Sequence, residues 1–68
     1  MNTKFCKRLK ELREYEHLGY AELGQALGVS GTAIARWENG KRIPNIESLY
    51  TIAKFFGVSS DYLLGLED

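Results

Sequence analysis

The sequence predicts an all-α fold, a compact bundle of five short helices that makes a single domain over residues 1–68. Apolar residues recur at spacings of three and four along five segments. No segment shows the alternation of apolar and polar residues that is typical of a half-buried strand. Glycines, one proline and helix-capping residues separate the five segments. A chain of 68 residues has room for one small hydrophobic core.

The first predicted helix follows an apolar stripe near the start of the chain. The residues of that stripe are Phe5, Leu9, Leu12 and Tyr15. Thr3 or Asn2 is the predicted N-cap, and Gly19 is the predicted end of the helix. His17, near that end, is expected to have a capping or surface role.

The second and third helices are predicted over residues 20–27 and 31–39, with a tight turn between them. Gly28 stands where a helix end favours positive φ, and Ser30 is a favourable N-cap. Gly24 has no side chain, which allows the third helix to cross the second closely. The predicted buried face consists of Leu23, Leu27, Val29, Ile34 and Trp37.

Two further helices complete the predicted bundle. Asn45 caps the fourth helix and Gly57 ends it, while Ser59 or Ser60 caps the fifth helix, which ends at Gly65. The fourth helix has apolar residues at helical spacing, namely Ile46, Leu49, Ile52, Ala53 and Phe56.

The second and third helices together form a predicted helix-turn-helix over about residues 20–39, the arrangement whose second helix reads the DNA major groove. A net charge of zero argues against a strongly basic nucleic-acid binder. Positive charge is nevertheless concentrated in residues 1–13 and 36–42, and negative charge in residues 14–35 and 43–68. A fold that joins the two basic segments would have a basic face; the alternative is a solvated surface of mixed charge.

Four motifs give the chain a specific resemblance to a known family. They are RLKELR at 8–13, LGQALGVS at 23–30, IARWENGKRIP at 34–44 and LYTIAKFFGVSSDYLLG at 49–65. The chain resembles the Cro/CI-type, or XRE-like, helix-turn-helix family of phage repressors. The resemblance implies a lambda-repressor-like fold and a sequence-specific double-stranded DNA-binding transcriptional regulator, a repressor, that inserts the third helix into the major groove.

The resemblance also implies roles for individual residues. Those expected to face bases are Ser30, Gly31, Thr32 and Arg36. Those expected to contact the DNA backbone are Tyr20, Asn39, Lys41 and Arg42. For Lys41 and Arg42, charge alone supports this role, because cations neutralise phosphates. Arg13 and Glu38 follow the core-facing Leu12 and Trp37, and they are expected to form a largely buried ion pair between the first and third helices.

Three positions depart from the family pattern. Gly31 replaces a long polar side chain, Tyr20 replaces a glutamine that bonds a phosphate, and Gly19 replaces a threonine or serine cap. Direct base readout is therefore expected to rest on Arg36, a candidate for guanine, and Thr32, a candidate for a thymine methyl group.

Enzymatic function is not expected. The sequence contains no nucleophile–base pair, metal-ligand cluster or phosphate loop, so no cofactor or metal is expected either. No apolar run approaches the roughly 18 residues of a membrane span. A single cysteine and the absence of an apolar export signal favour the cytoplasm.

The expected partner is a pseudo-palindromic operator bound by a homodimer, since one recognition helix reads only a few base pairs. The predicted dimer surface consists of Tyr62, Leu63, Leu64 and Leu66. Two alternatives stay open. Leu63 and Leu64 could instead close the core of a monomer, and the chain could be a protein-interaction module of antitoxin or adaptor type in which DNA binding is secondary.

Overall fold

The computed structural model describes residues 3–68, and in that range it contains five α-helices and no β-strand. The helices are α1 Thr3–Tyr15, α2 Tyr20–Leu27, α3 Gly31–Glu38, α4 Ile46–Phe56 and α5 Ser60–Leu64. The all-α prediction is confirmed. The N-cap predicted at Thr3 or Asn2 lies outside the residues whose side chains the structure describes.

The end of α1 differs from the prediction. The left-handed residue after the helix is His17, with φ 58°, and the Leu18 N–H donates to the Arg13 carbonyl oxygen at 3.1 Å. Gly19 adopts an extended conformation and is the N-cap of α2, where its N–H donates to the Glu22 carboxylate at 2.7 Å. The prediction that α1 ends at Gly19 is wrong. The turn that closes a helix has its left-handed residue directly after the last helical turn, and since α1 ends at Tyr15 that residue is His17.

Tyr15 does not belong to the apolar face of α1. It is 80% exposed, whereas Phe5 and Leu9 are buried and Leu12 is half-buried. Ten residues at 3.6 per turn rotate Tyr15 about 80° away from Phe5, which is enough to leave the core. The core-facing stripe of α1 therefore stops at Leu12.

His17 carries a conformational penalty that glycine would relieve. A left-handed backbone conformation destabilises non-glycine residues by roughly 1–2 kcal/mol, and part of any gain is lost to the flexibility of glycine in the unfolded chain. We expect His17→Gly to raise the free energy of unfolding by about 0.5–1 kcal/mol, measured by thermal or urea denaturation. Glu16→Gly is the matched control, since Glu16 is exposed and has negative φ. Equal effects of the two substitutions would contradict this explanation.

The close crossing of α2 and α3 is confirmed. A Cβ atom on Gly24 would lie 2.6 Å from the Val29 carbonyl oxygen and 2.9 Å from the Gly31 nitrogen. Gly28 has φ 77°, as its turn position predicts. Glycine at 24 thus lets the turn and the start of α3 pass directly over α2.

One hydrophobic cluster joins all five helices. Its buried members are Phe5, Leu9, Leu23, Ile34, Trp37, Ile52, Ala53 and Leu63. α2 packs against α3 and α4, α1 against α3 and α5, and α4 against α5. Asn45 and Ser59 accept the predicted N-cap hydrogen bonds, from the N–H groups of Ser48 at 2.7 Å and Tyr62 at 3.0 Å. Within residues 3–68, no helix is both long enough and apolar enough to cross a bilayer.

The apolar surface predicted at the C-terminal end is smaller than expected. Leu63 is fully buried in the core, and the Tyr62 ring is covered by the Arg8 guanidinium at 4.2 Å. Leu64 is half-buried, which leaves only Leu66 largely exposed. α5 therefore packs into the core more than it forms a free apolar surface, because a domain this small needs its terminal helix to close the core.

Candidate nucleic-acid interface

α3 presents a short polar face. Thr32 and Arg36 are exposed and lie one turn apart on the same side of the helix. Ser30 caps α3, with its Oγ accepting from the Ala33 N–H at 3.1 Å, so the hydroxyl proton is left to donate elsewhere. Arg36 is the only long side chain among the four residues expected to face bases.

Gly31 serves the packing of α3 as well as its exposed face. A Cβ atom there would lie 3.0–3.2 Å from backbone atoms of Tyr20 and Ala21. The first turn of α3 is therefore held close to the first turn of α2, and the two helix starts meet at this point.

The loop after α3 folds back on the helix. The N–H groups of Lys41 and Arg42 both donate to the Arg36 carbonyl oxygen, at 2.9 and 3.3 Å. Asn39 is the C-cap of α3, and Gly40 is left-handed with φ 73°. These hydrogen bonds place the two basic residues of the loop beside the end of α3.

A groove of about 370 Å³ separates α3 from the start of α4. Ser30, Arg36 and Arg42 all line it, together with Asn45 and Ser48. Within residues 3–68, neither Arg36 nor Arg42 pairs with a carboxylate. The fold thus brings together residues of the predicted base-facing and backbone-facing sets, with positive charge that is not neutralised locally.

Arg13 and Glu38 join α1 to α3. Arg13 Nε and Nη2 donate to the two Glu38 carboxylate oxygens at 2.6 and 3.1 Å, and Nη1 donates to the Leu18 carbonyl oxygen at 2.8 Å. The side chains of Arg13 and Glu38 are 11% and 2% exposed. The hydrogen bond with Glu38 raises the pKa of Arg13 against the opposing effect of burial. The contact spans 25 residues of sequence and ties the C-terminal end of α3 to the bundle.

Tyr20, the first residue of α2, does not stand free. Its ring lies over the Arg13 guanidinium, 4.4 Å from the ring centroid, and the residue is 40% exposed. Sequence reasoning missed this contact. The sequence did show that an aromatic residue replaces the family glutamine here, which allows a cation–π contact. Only the fold shows that the cation in contact with the ring is Arg13.

Two of the five cations of residues 1–13, Arg8 and Arg13, have partners inside the fold. Arg13 pairs with Glu38, and Arg8 donates to the carbonyl oxygens of Tyr62 and Glu67. The cations that the hydrogen bonds place beside α3 are those of residues 36–42. In the part of the chain that the structure describes, no three His, Cys, Asp or Glu side chains are arranged to hold a metal ion.

Sequence reasoning also missed an exposed apolar surface around α4. Ile43, Ile46 and Tyr50 are 66%, 86% and 63% exposed, and Ile46 and Tyr50 lie one turn apart. We call these three residues the α4 face. An adjoining apolar groove of about 230 Å³ is lined by Phe5, Ile43, Pro44, Leu49 and Leu64. The signal in the sequence was an apolar residue on either side of the Pro44–Asn45 turn, Ile43 and Ile46, and the start of α4 buries neither of them.

Comparisons with known proteins agree with this architecture. The helix-turn-helix family profile matches residues 9–63. The HTH-type transcriptional activator BcrR of Enterococcus faecalis is 46% identical over 96% of this chain and 32% of its own length. Repressor protein C2 of Salmonella phage P22 is 38% identical over 94% of this chain and 30% of its own length. The chain thus spans about a third of each of these relatives.

Solved structures show the same fold in two settings. The crystal structure of the P22 c2 repressor with the synthetic operator 9T superposes with a TM-score of 0.87 and 35% identity, over 93% of this chain and 96% of that one. Hydroxypropylphosphonic acid epoxidase from S. wedmorenis superposes with a TM-score of 0.76 and 33% identity, over 91% of this chain but 33% of the enzyme. The second likeness is confined to one part of the enzyme.

Proposed function

The chain belongs to the XRE-like helix-turn-helix family, and from this membership we propose that it is a sequence-specific double-stranded DNA-binding transcriptional regulator that inserts α3 into the major groove. The observation that carries the proposal is the exposed start of α3 beside Arg36, Lys41 and Arg42, which pair with no carboxylate among residues 3–68. A domain of the same fold, that of the P22 c2 repressor, has been solved with the synthetic operator 9T. DNA phosphates would neutralise these three cations.

Base readout in this proposal is assigned to Ser30, Gly31, Thr32 and Arg36. Arg36 is suited to the two acceptors of a guanine, and Thr32 to a thymine methyl group. At Gly31, the backbone of α3 would approach the bases closely, in place of a side-chain contact. The backbone contacts are assigned to Tyr20, Asn39, Lys41 and Arg42, of which the last two have the charge that phosphates attract.

The two classes of contact have different effects on binding. We expect Arg36→Ala to weaken binding to a selected site by about 1–3 kcal/mol while leaving random duplexes nearly unaffected. We expect Lys41→Ala and Arg42→Ala to weaken all duplexes alike and to reduce the salt slope by about one unit each. Fluorescence anisotropy over a range of salt concentrations, on a duplex selected from a random pool, measures both effects.

Lys54→Ala is the matched control for these variants. Lys54 is an exposed cation in the last turn of α4, outside the residues assigned to DNA contact. It should change neither the preference nor the salt slope appreciably. An Arg36→Ala protein that keeps its full preference would remove Arg36 from the base-reading set, and salt-independent binding would contradict the proposed function.

We propose repression as the sign of regulation, by occupation of an operator that RNA polymerase must also reach. The likeness to a repressor solved on operator DNA supports this, while the relative BcrR is named an activator. Transcription in vitro from a template that carries the selected site distinguishes the two signs. We also propose that the chain has no enzymatic role and acts in the cytoplasm, where the DNA is accessible to it.

We propose further that two copies bind a pseudo-palindromic operator. One α3 covers only a few base pairs, and two copies would read half-sites about 34 Å apart. The α4 face supports this proposal better than the C-terminal residues do, because Leu63 is buried and Tyr62 is covered. DNA would help to complete a weak dimer by holding both copies at high local concentration.

Sedimentation with and without operator DNA tests the dimer. We expect two copies per duplex at saturating protein, and weaker binding of the second copy in Ile46→Glu. Leu66→Glu places the same charge on the exposed C-terminal residue and should have less effect. The reverse order would place the interface at the C-terminal end, and one copy per duplex would contradict the dimer.

A further inference from the structure

Arg13 makes a contact that the ion pair with Glu38 does not require. We propose that Arg13 is a positioning residue for DNA binding, which holds the Tyr20 ring so that the Tyr20 hydroxyl donates to a backbone phosphate. This inference rests on the proposed DNA-binding function. It adds a role for Arg13 beyond the joining of α1 to α3.

The guanidinium of Arg13 is held on two sides. Two of its nitrogens donate to the carboxylate of Glu38, and the third donates to the carbonyl oxygen of Leu18. A planar group with three hydrogen bonds to two fixed partners has little freedom to rotate. It therefore presents a nearly immobile flat surface to any ring that lies over it.

The Tyr20 ring lies over that surface. The distance from the guanidinium carbon to the ring centroid is 4.4 Å, well within the range of a cation–π contact. The stack restrains a side chain that, as the first residue of α2, has no preceding helical turn to pack against. The same residue is 40% exposed, so the ring is held on one side and open to solvent on another.

The polar end of Tyr20 is available to a ligand. Among residues 3–68, the Tyr20 hydroxyl has no hydrogen-bond partner, whereas the neighbouring Gly19 N–H is already used by Glu22. A phenol hydroxyl is a good donor to a phosphate oxygen, and phosphate contacts of this kind set the register of a protein on DNA. A ring that is already fixed loses less conformational entropy on binding than a free one.

The arrangement also links the two helices that meet the DNA. Glu38 is the last residue of α3 and Tyr20 the first of α2, and Arg13 contacts both. The position of the recognition helix and the position of the phosphate donor are thereby set by one side chain. Arg13→Lys would keep a charge for Glu38, but an ammonium has no flat surface, and its donors share one nitrogen whereas those of Arg13 lie on three.

The test is a double-mutant cycle in DNA binding. We expect Tyr20→Phe, which keeps the ring and removes the hydroxyl, to weaken binding to selected and random duplexes alike by roughly 5- to 20-fold. In an Arg13→Lys background, the same change should weaken binding by less than about 2-fold, because the hydroxyl is no longer held in place. All variants are compared at a temperature where circular dichroism shows them folded.

Tyr62→Phe is the matched control. Tyr62 is also stacked under an arginine of α1, Arg8, at 4.2 Å, but it lies in α5, outside the helix-turn-helix. Its loss of a hydroxyl should leave DNA binding unchanged. If Tyr62→Phe weakens DNA binding as much as Tyr20→Phe does, the assignment of this role to Tyr20 is overturned.

A second measurement does not depend on DNA or on the folding of Arg13→Lys. In NMR spectra, the ring current of Tyr20 should shift the side-chain protons of Arg13, and Tyr20→Leu should abolish that shift. If the shift does not change, or if Tyr20→Phe binds like the wild type, the positioning role is wrong while DNA binding itself stands. If the wild-type chain shows no salt-dependent DNA binding, the proposed function and this inference are both wrong.

Discussion

Glu38→Ala will lower the free energy of unfolding by about 3 kcal/mol, a large share of the roughly 5 kcal/mol expected for a domain of this size. The substitution leaves the Arg13 guanidinium without its carboxylate in a site where only 11% of the Arg13 side chain meets solvent. Removal of one partner from a buried pair destabilises far more than the pair itself stabilises, because the remaining charge has no counterion. We place the value at the lower end of the known range because Arg13 keeps some access to water and a hydrogen bond to Leu18.

Thermal unfolding measures this effect. A loss of about 3 kcal/mol lowers the Tm of a 60–100-residue domain by roughly 12–24 °C. Glu11→Ala is the matched control, since Glu11 is an exposed glutamate of α1 and should change stability by no more than about 0.5 kcal/mol. A Tm within a few degrees of the wild type for Glu38→Ala would mean that water replaces the carboxylate easily.

Gly24→Ala will destabilise the domain by about 1–3 kcal/mol, although alanine favours a helix over glycine by roughly 1 kcal/mol. The new methyl group would meet three backbone atoms within 3.0 Å, those of Val29, Ser30 and Gly31. Backbone atoms cannot move aside as the end of a flexible side chain can, so the turn and the first turn of α3 must shift together. Because the start of α3 is the part assigned to base readout, DNA affinity per folded molecule should also fall, by more than about tenfold.

Gly28→Ala separates crowding from backbone conformation. Gly28 has φ 77°, but a Cβ atom there would meet nothing within 4 Å. We expect this variant to lose about 1–2 kcal/mol of stability through strain while its folded form binds DNA nearly as the wild type does. For Gly24→Ala, helix propensity alone would predict a Tm above that of the wild type. That result would contradict the close crossing of α2 and α3.

The local features of this fold follow from short stretches of sequence. Gly28, Gly57 and Gly65 are left-handed at helix ends, and Ser30, Asn45 and Ser59 accept N-cap hydrogen bonds. Each of these choices depends on residues within a turn of each other, so the pattern alone predicts it. The bounds of α2 agree with the predicted residues 20–27 for the same reason.

The sequence also identified much of the core, since periodicity shows which face of a helix is apolar. It could not tell how far that face extends. Tyr15 is exposed and Leu63 is buried, contrary to the apolar face of α1 and the dimer surface that the sequence predicted. Which apolar residues are covered depends on where the neighbouring helices end, and that is decided by packing between distant segments.

The sequence by itself therefore determined the helix-turn-helix, its glycine-dependent crossing and the basic loop that follows it. Only the tertiary structure decided which cations remain free beside α3, because Arg8 and Arg13 are engaged by partners 54 and 25 residues away. The tertiary structure also decided that Tyr20 stacks on Arg13 and that the exposed apolar surface lies around α4. The physical reason is range: capping and helical periodicity act within a few residues, whereas ion pairs, ring stacks and burial join groups that approach only when the chain is folded.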